Sequence, residues 1–115
     1  MSIKDSIRIV LVGTQHPGNI GSAARAMKTM GLNNLVLVAP KRYPDPEAIA
    51  LAAGADDLLS QAMVVSSLAE ALEGCTYVIG TSSRARSVAL PELTPRQASE
   101  QLVLKSMQST VALLF

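Results

Sequence analysis

Apolar positions along the chain alternate between two periods. Ile7-Arg8-Ile9-Val10-Leu11-Val12 is a nearly continuous apolar run rich in β-branched residues, the pattern of a strand covered on both faces. A Gly/Pro/polar turn follows, and then a segment with helical spacing that stops at Gly31. At about 100° per residue, Ile20, Ala23, Ala24, Met27 and Met30 fall within one arc of roughly 120°. The spacing therefore predicts Met27 and Met30 as core. Arg25 lies nearly opposite the centre of that arc, flanked by Gly21, Ser22, Lys28 and Thr29. Asn19 is the expected N-cap, because its side chain can accept from an early helical N–H. Gly31 is the expected left-handed residue just past the last turn.

The same alternation continues. Asn34 to Ala39 is a second strand, ended by Pro40, and Lys41-Arg42-Tyr43-Pro44 is a short basic loop. Asp45-Pro46-Glu47 starts a helix, with Asp as N-cap, Pro in the first turn and an acid beside it, and the helix runs to Ala53 before Gly54. Ala55 to Leu59 is a possible further turn. Ala62 to Val65 is a short third strand, and Ser67-x-x-Glu70 is a capping box that opens a helix to about Glu73. Thr76 to Gly80 is a fourth strand, followed by the small, polar, basic loop 81–87. Thr94-Pro95-Arg96-Gln97 is a second capping box, its helix reaching about Met107, and Thr110 to Phe115 is a fifth strand. Strands alternating with helices predict an α/β fold: one parallel sheet with helices on both faces.

Composition narrows the class. A chain of 115 residues is one domain, 1–115, and 49% hydrophobic residues supply a core, while 3% aromatics make that core aliphatic. A net charge of +1 gives no global basic field, so any nucleic-acid surface must come from local clustering. The single cysteine, Cys75, excludes an internal disulfide and a multi-Cys metal site, and reads as a small buried hydrophobe. The single histidine, His16, excludes a His dyad or multi-His metal site and reads as a turn residue. No apolar run approaches the roughly 18 residues of a membrane span. The start, Met1 to Asp5, lacks a signal-peptide pattern, so a cytoplasmic location is expected.

Polar groups gather where the first strand's loop meets the first helix, the place where open α/β sheets bind ligands. Gly13-x-x-x-x-Gly18 is half of a P-loop, but Asn19-Ile20 stand where Lys and Ser/Thr are needed for the phosphates and Mg²⁺. The glycines at 13, 18 and 21 do not form the dinucleotide pattern, and the second strand ends Val38-Ala39-Pro40 without a ribose-binding acid. Nucleotide hydrolysis and NAD binding are set aside. A plain tight turn with close helix–strand packing remains the simple reading of these glycines.

The run from Asn19 to Gly31 resembles motif one of the SPOUT-class RNA 2′-O-methyltransferases, Asn-x-Gly-(Ser/Asn)-x-x-Arg placed after the first strand. With His16, Gly18, the Ala48–Ala55 run and Gly80-Thr81-Ser82 added, the chain is similar along its length to the bacterial TrmJ-like branch of that class. The resemblance implies a trefoil-knotted α/β fold, S-adenosyl-methionine as methyl donor, no metal, a homodimer, and tRNA as substrate, methylated on the ribose of the first nucleotide of the anticodon loop. It implies Arg25 as the catalytic arginine and Asn19 as its motif-one companion. Gly80, Thr81, Ser82 and Ser83 would line the donor pocket. The family's second and third motifs, Gly-x-Glu and an ending Ser-Leu-Asn, should follow Phe115 and do not occur here. The chain is therefore expected to be the N-terminal part of such an enzyme, stopping before the knot is completed and weak or inactive alone.

Methyl transfer from a sulfonium needs a 2′-hydroxyl losing its proton in line with the methyl carbon, so the protein's work is positioning, field and proton removal. An arginine with a pKa above roughly 12 is a poor base near neutral pH, which gives Arg25 an orienting and electrostatic role. Ser22, Lys28, Arg84 and Arg86 are candidate RNA contacts, Lys41 and Arg42 weaker ones. Two other readings stay open: a non-catalytic α/β RNA-binding or dimerisation module, and an unrelated flavodoxin-like small-ligand module.

Overall fold

Five parallel strands form one sheet in the order β3-β2-β1-β5-β4. The structure is a computed structural model, and it describes residues 6–14, 16–80 and 95–115. The elements in chain order are β1 (Ile7–Val12), α1 (Pro17–Met30), β2 (Asn34–Val38), α2 (Pro46–Ala52) and α3 (Asp56–Gln61). They continue with β3 (Met63–Val65), α4 (Leu68–Ala71), β4 (Tyr77–Gly80), α5 (Pro95–Ser106) and β5 (Val111–Leu114). The strands and helices predicted from the sequence are all present, with ends shifted by one to three residues.

The central strand β1 pairs with β2 through Arg8↔Asn34 to Val12↔Val38 and with β5 through Ile7↔Val111 to Val10↔Leu114. From β1 the chain steps outward to β2 and β3, crosses to the far edge at β4, and returns inward to β5. Right-handed crossovers put α1, α2, α3 and α5 on one face and send only the β3–β4 connection, with α4, across the other.

The two faces are correspondingly unequal. On the first, Ile7, Ile9, Leu11, Leu35, Leu37 and Val111 pack with Ile20, Ala24 and Met27 of α1, Ala48 and Ala52 of α2, Leu58 and Leu59 of α3, and Leu102 of α5. On the second, Val10, Val36, Val38 and Ala112 meet little more than Ala71, Leu72 and Cys75. Val12 and Val78 are exposed there, at 44% and 41%. Arg8 also belongs to this face: its Nη1 donates to the carbonyls of Ala71 at 2.8 Å and Glu73 at 2.9 Å, capping the end of the one-turn helix. Cys75 is half-buried beside it; burial pushes its thiol pKa up and the Arg8 charge opposes that rise.

Local signals explain the element ends. Asp45 accepts from the Glu47 N–H at 2.9 Å and starts α2. The Ser67 Oγ accepts from the Glu70 N–H at 3.2 Å and donates to the Glu70 carboxylate at 3.1 Å, closing the capping box. At the end of α1, Gly31 turns at φ 76°, its N–H bonds the Lys28 carbonyl, and Leu32 N–H bonds the Met27 carbonyl. Leu32 packs on the same cluster as Met27, which completes that termination motif. The second capping box begins at Thr94, outside the described residues.

Four expectations need correction. The start of α1 is Pro17, not the residue after Asn19; His16 holds the cap position without a side-chain bond, and Asn19 N–H already bonds the His16 carbonyl at 3.0 Å. Proline's fixed φ suits the first helical position and sets the start three residues earlier than an Asn cap requires. Met30 is not core but 63% exposed, while Gly21, expected on the polar side, is buried. The second strand stops at Val38, because Ala39 turns at φ 44°, one residue before Pro40.

Candidate active site

Loops at the carboxyl ends of β1 and β2 are tied together. The Gly13 N–H bonds the Val38 carbonyl at 2.8 Å, and the Lys41 N–H bonds the Thr14 carbonyl at 3.1 Å. This junction delivers the chain into α1. Two glycines then let α1 lie against α2. A Cβ on Gly21 would overlap the Ala48 carbonyl oxygen and sit 3.0 Å from the Ala52 nitrogen, so the helices touch backbone to backbone. A Cβ on Gly18 would meet Leu51 Cδ1 at 2.6 Å and Glu47 Oε1 at 3.2 Å.

The Glu47 contact decides one chemical question. The first turn of α1 has no acidic residue of its own, and the Glu47 carboxylate from α2 lies against it. The positive end of the helix dipole thus already faces an anion. A phosphate placed there would meet like charge, which agrees with the missing Lys-Ser/Thr of the half P-loop.

The outer side of α1 is open. Ser22, Arg25, Ala26, Thr29 and Met30 line a shallow hollow on it. Thr29 Oγ1 donates to the Arg25 carbonyl at 3.2 Å, one turn back. The Arg25 side chain is exposed and has no hydrogen-bond or ion-pair partner among the described residues. Asn19, Ser22 and Arg25 are spaced three apart, so each lies one turn beyond the last on neighbouring positions of the surface. Asn19 is exposed but falls outside the hollow's lining. The structure therefore joins Arg25 with Ser22 and places Asn19 one turn before Ser22, nearly two turns from Arg25.

Lys28 is differently engaged. Its Nζ donates to the Asp57 carboxylate at 3.1 Å and to the Gly54 carbonyl at 3.1 Å, linking α1 to the α2–α3 corner. The hydrogen bond from Lys28 holds the Asp57 pKa below its usual value. Gly80 closes β4 at the same sheet edge as Gly13, and a Cβ there would find nothing within 4 Å. Thr81, Ser82, Ser83, Arg84 and Arg86 lie outside the described residues. Among the described residues, no three His, Cys, Asp or Glu gather as metal ligands, and no helix is long and apolar enough to cross a membrane.

The sequence reading missed the packing role of Gly21 and the position of Glu47. The first had a signal: Gly18-x-x-Gly21 on one helix and Ala48-x-x-x-Ala52 on the next are small residues at helical spacing. The second had none, because it depends on how the two helices cross.

Residues 6–115 match the model of the SpoU rRNA methylase family. The chain is 56% identical over 110 residues to a tRNA (cytidine/uridine-2′-O-)-methyltransferase TrmJ of Sodalis glossinidius, covering 96% of this chain and 43% of that protein. The TrmJ of Salmonella typhimurium is 54% identical, with 96% and 45% covered. Among solved structures, a probable methylase family protein from Haemophilus influenzae superposes with a TM-score of 0.89 at 46% identity, over 100% of this chain and 47% of that one. TrmJ from Z. mobilis superposes at 0.86 with 43% identity, over 94% and 48%. The chain thus spans about half the length of the relatives it matches.

Proposed function

This chain belongs to the SpoU rRNA methylase family, and on that premise we propose that it is part of an enzyme methylating a tRNA ribose 2′-oxygen. The donor is S-adenosyl-methionine, the target nucleotide is the first of the anticodon loop, and the enzyme works in the cytoplasm as a homodimer with a completed knot. The observation that carries the reading is Arg25: an exposed, unpartnered guanidinium beside Ser22 on the outer side of α1, with Asn19 nearly two turns toward the start of the helix. The TrmJ names and identities of the relatives support the tRNA substrate.

In this reading Arg25 holds the target ribose and the charge developing on its 2′-oxygen with a forked donor set. Ser22 contacts the adjoining backbone, and Asn19 steadies the nucleotide from the turn above. The open space at Gly80 fits the start of a donor pocket, continued by Thr81, Ser82 and Ser83. The bound donor would supply an activated methyl on sulfur with its own leaving group, so the protein's work is positioning and field, and the 2′-hydroxyl proton passes to an oxygen of a neighbouring substrate phosphate.

The test is methyl transfer to tRNA by the full-length protein, with the modified ribose mapped. Arg25→Ala should lower kcat about 100-fold, and Arg25→Lys, which keeps charge but loses the fork, at least about tenfold. Near-normal turnover by Arg25→Lys sinks the forked role. Absence of donor binding in calorimetry favours the non-catalytic RNA-binding module instead.

A further inference from the structure

Ten Lys and Arg side chains are available, and Lys4, Arg84 and Arg86 lie outside the described residues, leaving seven to be compared. Five of these are committed. Arg8 caps α4, Lys28 bridges Asp57 and Gly54, and Arg42 faces Glu47 at 3.8 Å. Arg96 faces Glu100 at 3.5 Å, and the Lys105 ammonium lies 5.6 Å above the Tyr77 ring. Of these seven described cations, only Arg25 and Lys41 have side chains with no partner.

Their placement is related. Lys41 is fixed at the carboxyl edge of the sheet, because its own N–H bonds the Thr14 carbonyl in the loop that enters α1. Arg25 lies two turns beyond Gly18, on nearly the same line of the helix, and Gly18 is the residue packed against the start of α2. One free cation therefore stands beside the entry to α1 and the other further along the exposed side of the same helix. From Pro17 to Arg25 the helix rises about 12 Å, a distance that a short stretch of one RNA strand spans, and Lys41, not the start of α1 with Glu47 against it, is the cation at the far end.

We infer that Lys41 is an RNA-binding residue, contacting a backbone phosphate on the strand whose ribose Arg25 holds, and that Lys28 makes no such contact. This rests on the proposed RNA substrate. A committed cation would have to break its existing bonds before meeting phosphate; Lys41 has none to break. A phosphate contact carries no sequence information, so its effect is uniform across tRNAs and visible in salt dependence.

The experiment is tRNA binding by the full-length protein, measured by anisotropy across a series of KCl concentrations. Lys41→Ala keeps the backbone bond to Thr14 and should weaken binding severalfold. It should also reduce the slope of log K against log salt by about one. Lys41→Arg should restore the slope, and Lys28→Ala should leave it unchanged. A parental slope in Lys41→Ala, or a reduced one in Lys28→Ala, overturns the inference while the enzyme reading stands. Absence of salt-dependent tRNA binding by the parent overturns both.

Discussion

On its inner side α1 meets the sheet through Ile20, Ala24 and Met27 and the α2 backbone through Gly21; on its outer side Ser22, Arg25, Ala26, Thr29 and Met30 face outward. The inner side is a set of spatial constraints with almost no slack, since protein interiors pack at crystal density. The outer side imposes no packing constraint on Arg25, so a change there should disturb the proposed ribose contact and not the fold. A substitution on one side should therefore change stability and spare chemistry, and on the other the reverse.

The strongest way to break this contrast is Gly21→Val. Its branched Cβ would overlap the Ala48 backbone, which cannot rotate away as a side chain can. We expect a loss of at least about 4 kcal/mol, read as a failure to accumulate folded full-length protein. A Gly21→Val protein with the parent's melting temperature would show that the helices are not in backbone contact. The neighbouring Gly18→Ala should cost only about 1 kcal/mol, because the atom in the way is the end of the Leu51 side chain, which can change rotamer.

The two methionines sharpen the comparison on a single helix. Met27 is 2% exposed, and Met27→Ala should destabilise by about 3 kcal/mol. Met30 is 63% exposed, and Met30→Ala should fall within about 0.5 kcal/mol of the parent. Urea denaturation of the two variants reads both. Equal losses would place Met30 in an interface, the contact of the proposed homodimer being the first to examine.

Met30 also shows where the sequence stops being readable. An angular plot assumes one partner direction, and α1 has two. Packing on the sheet and on α2 together turns the buried arc toward Gly21 and Gly18 and away from Met30. The range of β1, the termination at Gly31, the Asp45 cap and the Ser67 capping box were all legible, because each rests on residues close in sequence. Strand order was not, since it depends on which edge the chain chooses after β3. At the candidate site, the exposure of Arg25 followed from spacing alone. The engagement of Lys28 did not: its partners, Gly54 and Asp57, are 26 and 29 residues away.

That engagement gives the smallest and most conditional effect. Lys28 lowers the Asp57 pKa, so the ionised carboxylate is favoured by the folded state. The resulting stabilisation is fully present above the usual value of 3.8 and is lost as pH falls through the lower folded value. Asp57→Asn should therefore melt slightly below the parent at neutral pH, with a difference that stays constant down to about pH 5. Below 3.8 the two curves should approach each other and then merge. Both side chains are more than half exposed, so raised salt should shrink the gap at neutral pH as well. A gap that persists at acid pH would mean that Asp57 contributes through its hydrogen-bonding shape rather than its charge. Lys28 would then be held chiefly by the Gly54 carbonyl, and the boundary between the two sides of α1 would rest on a neutral contact.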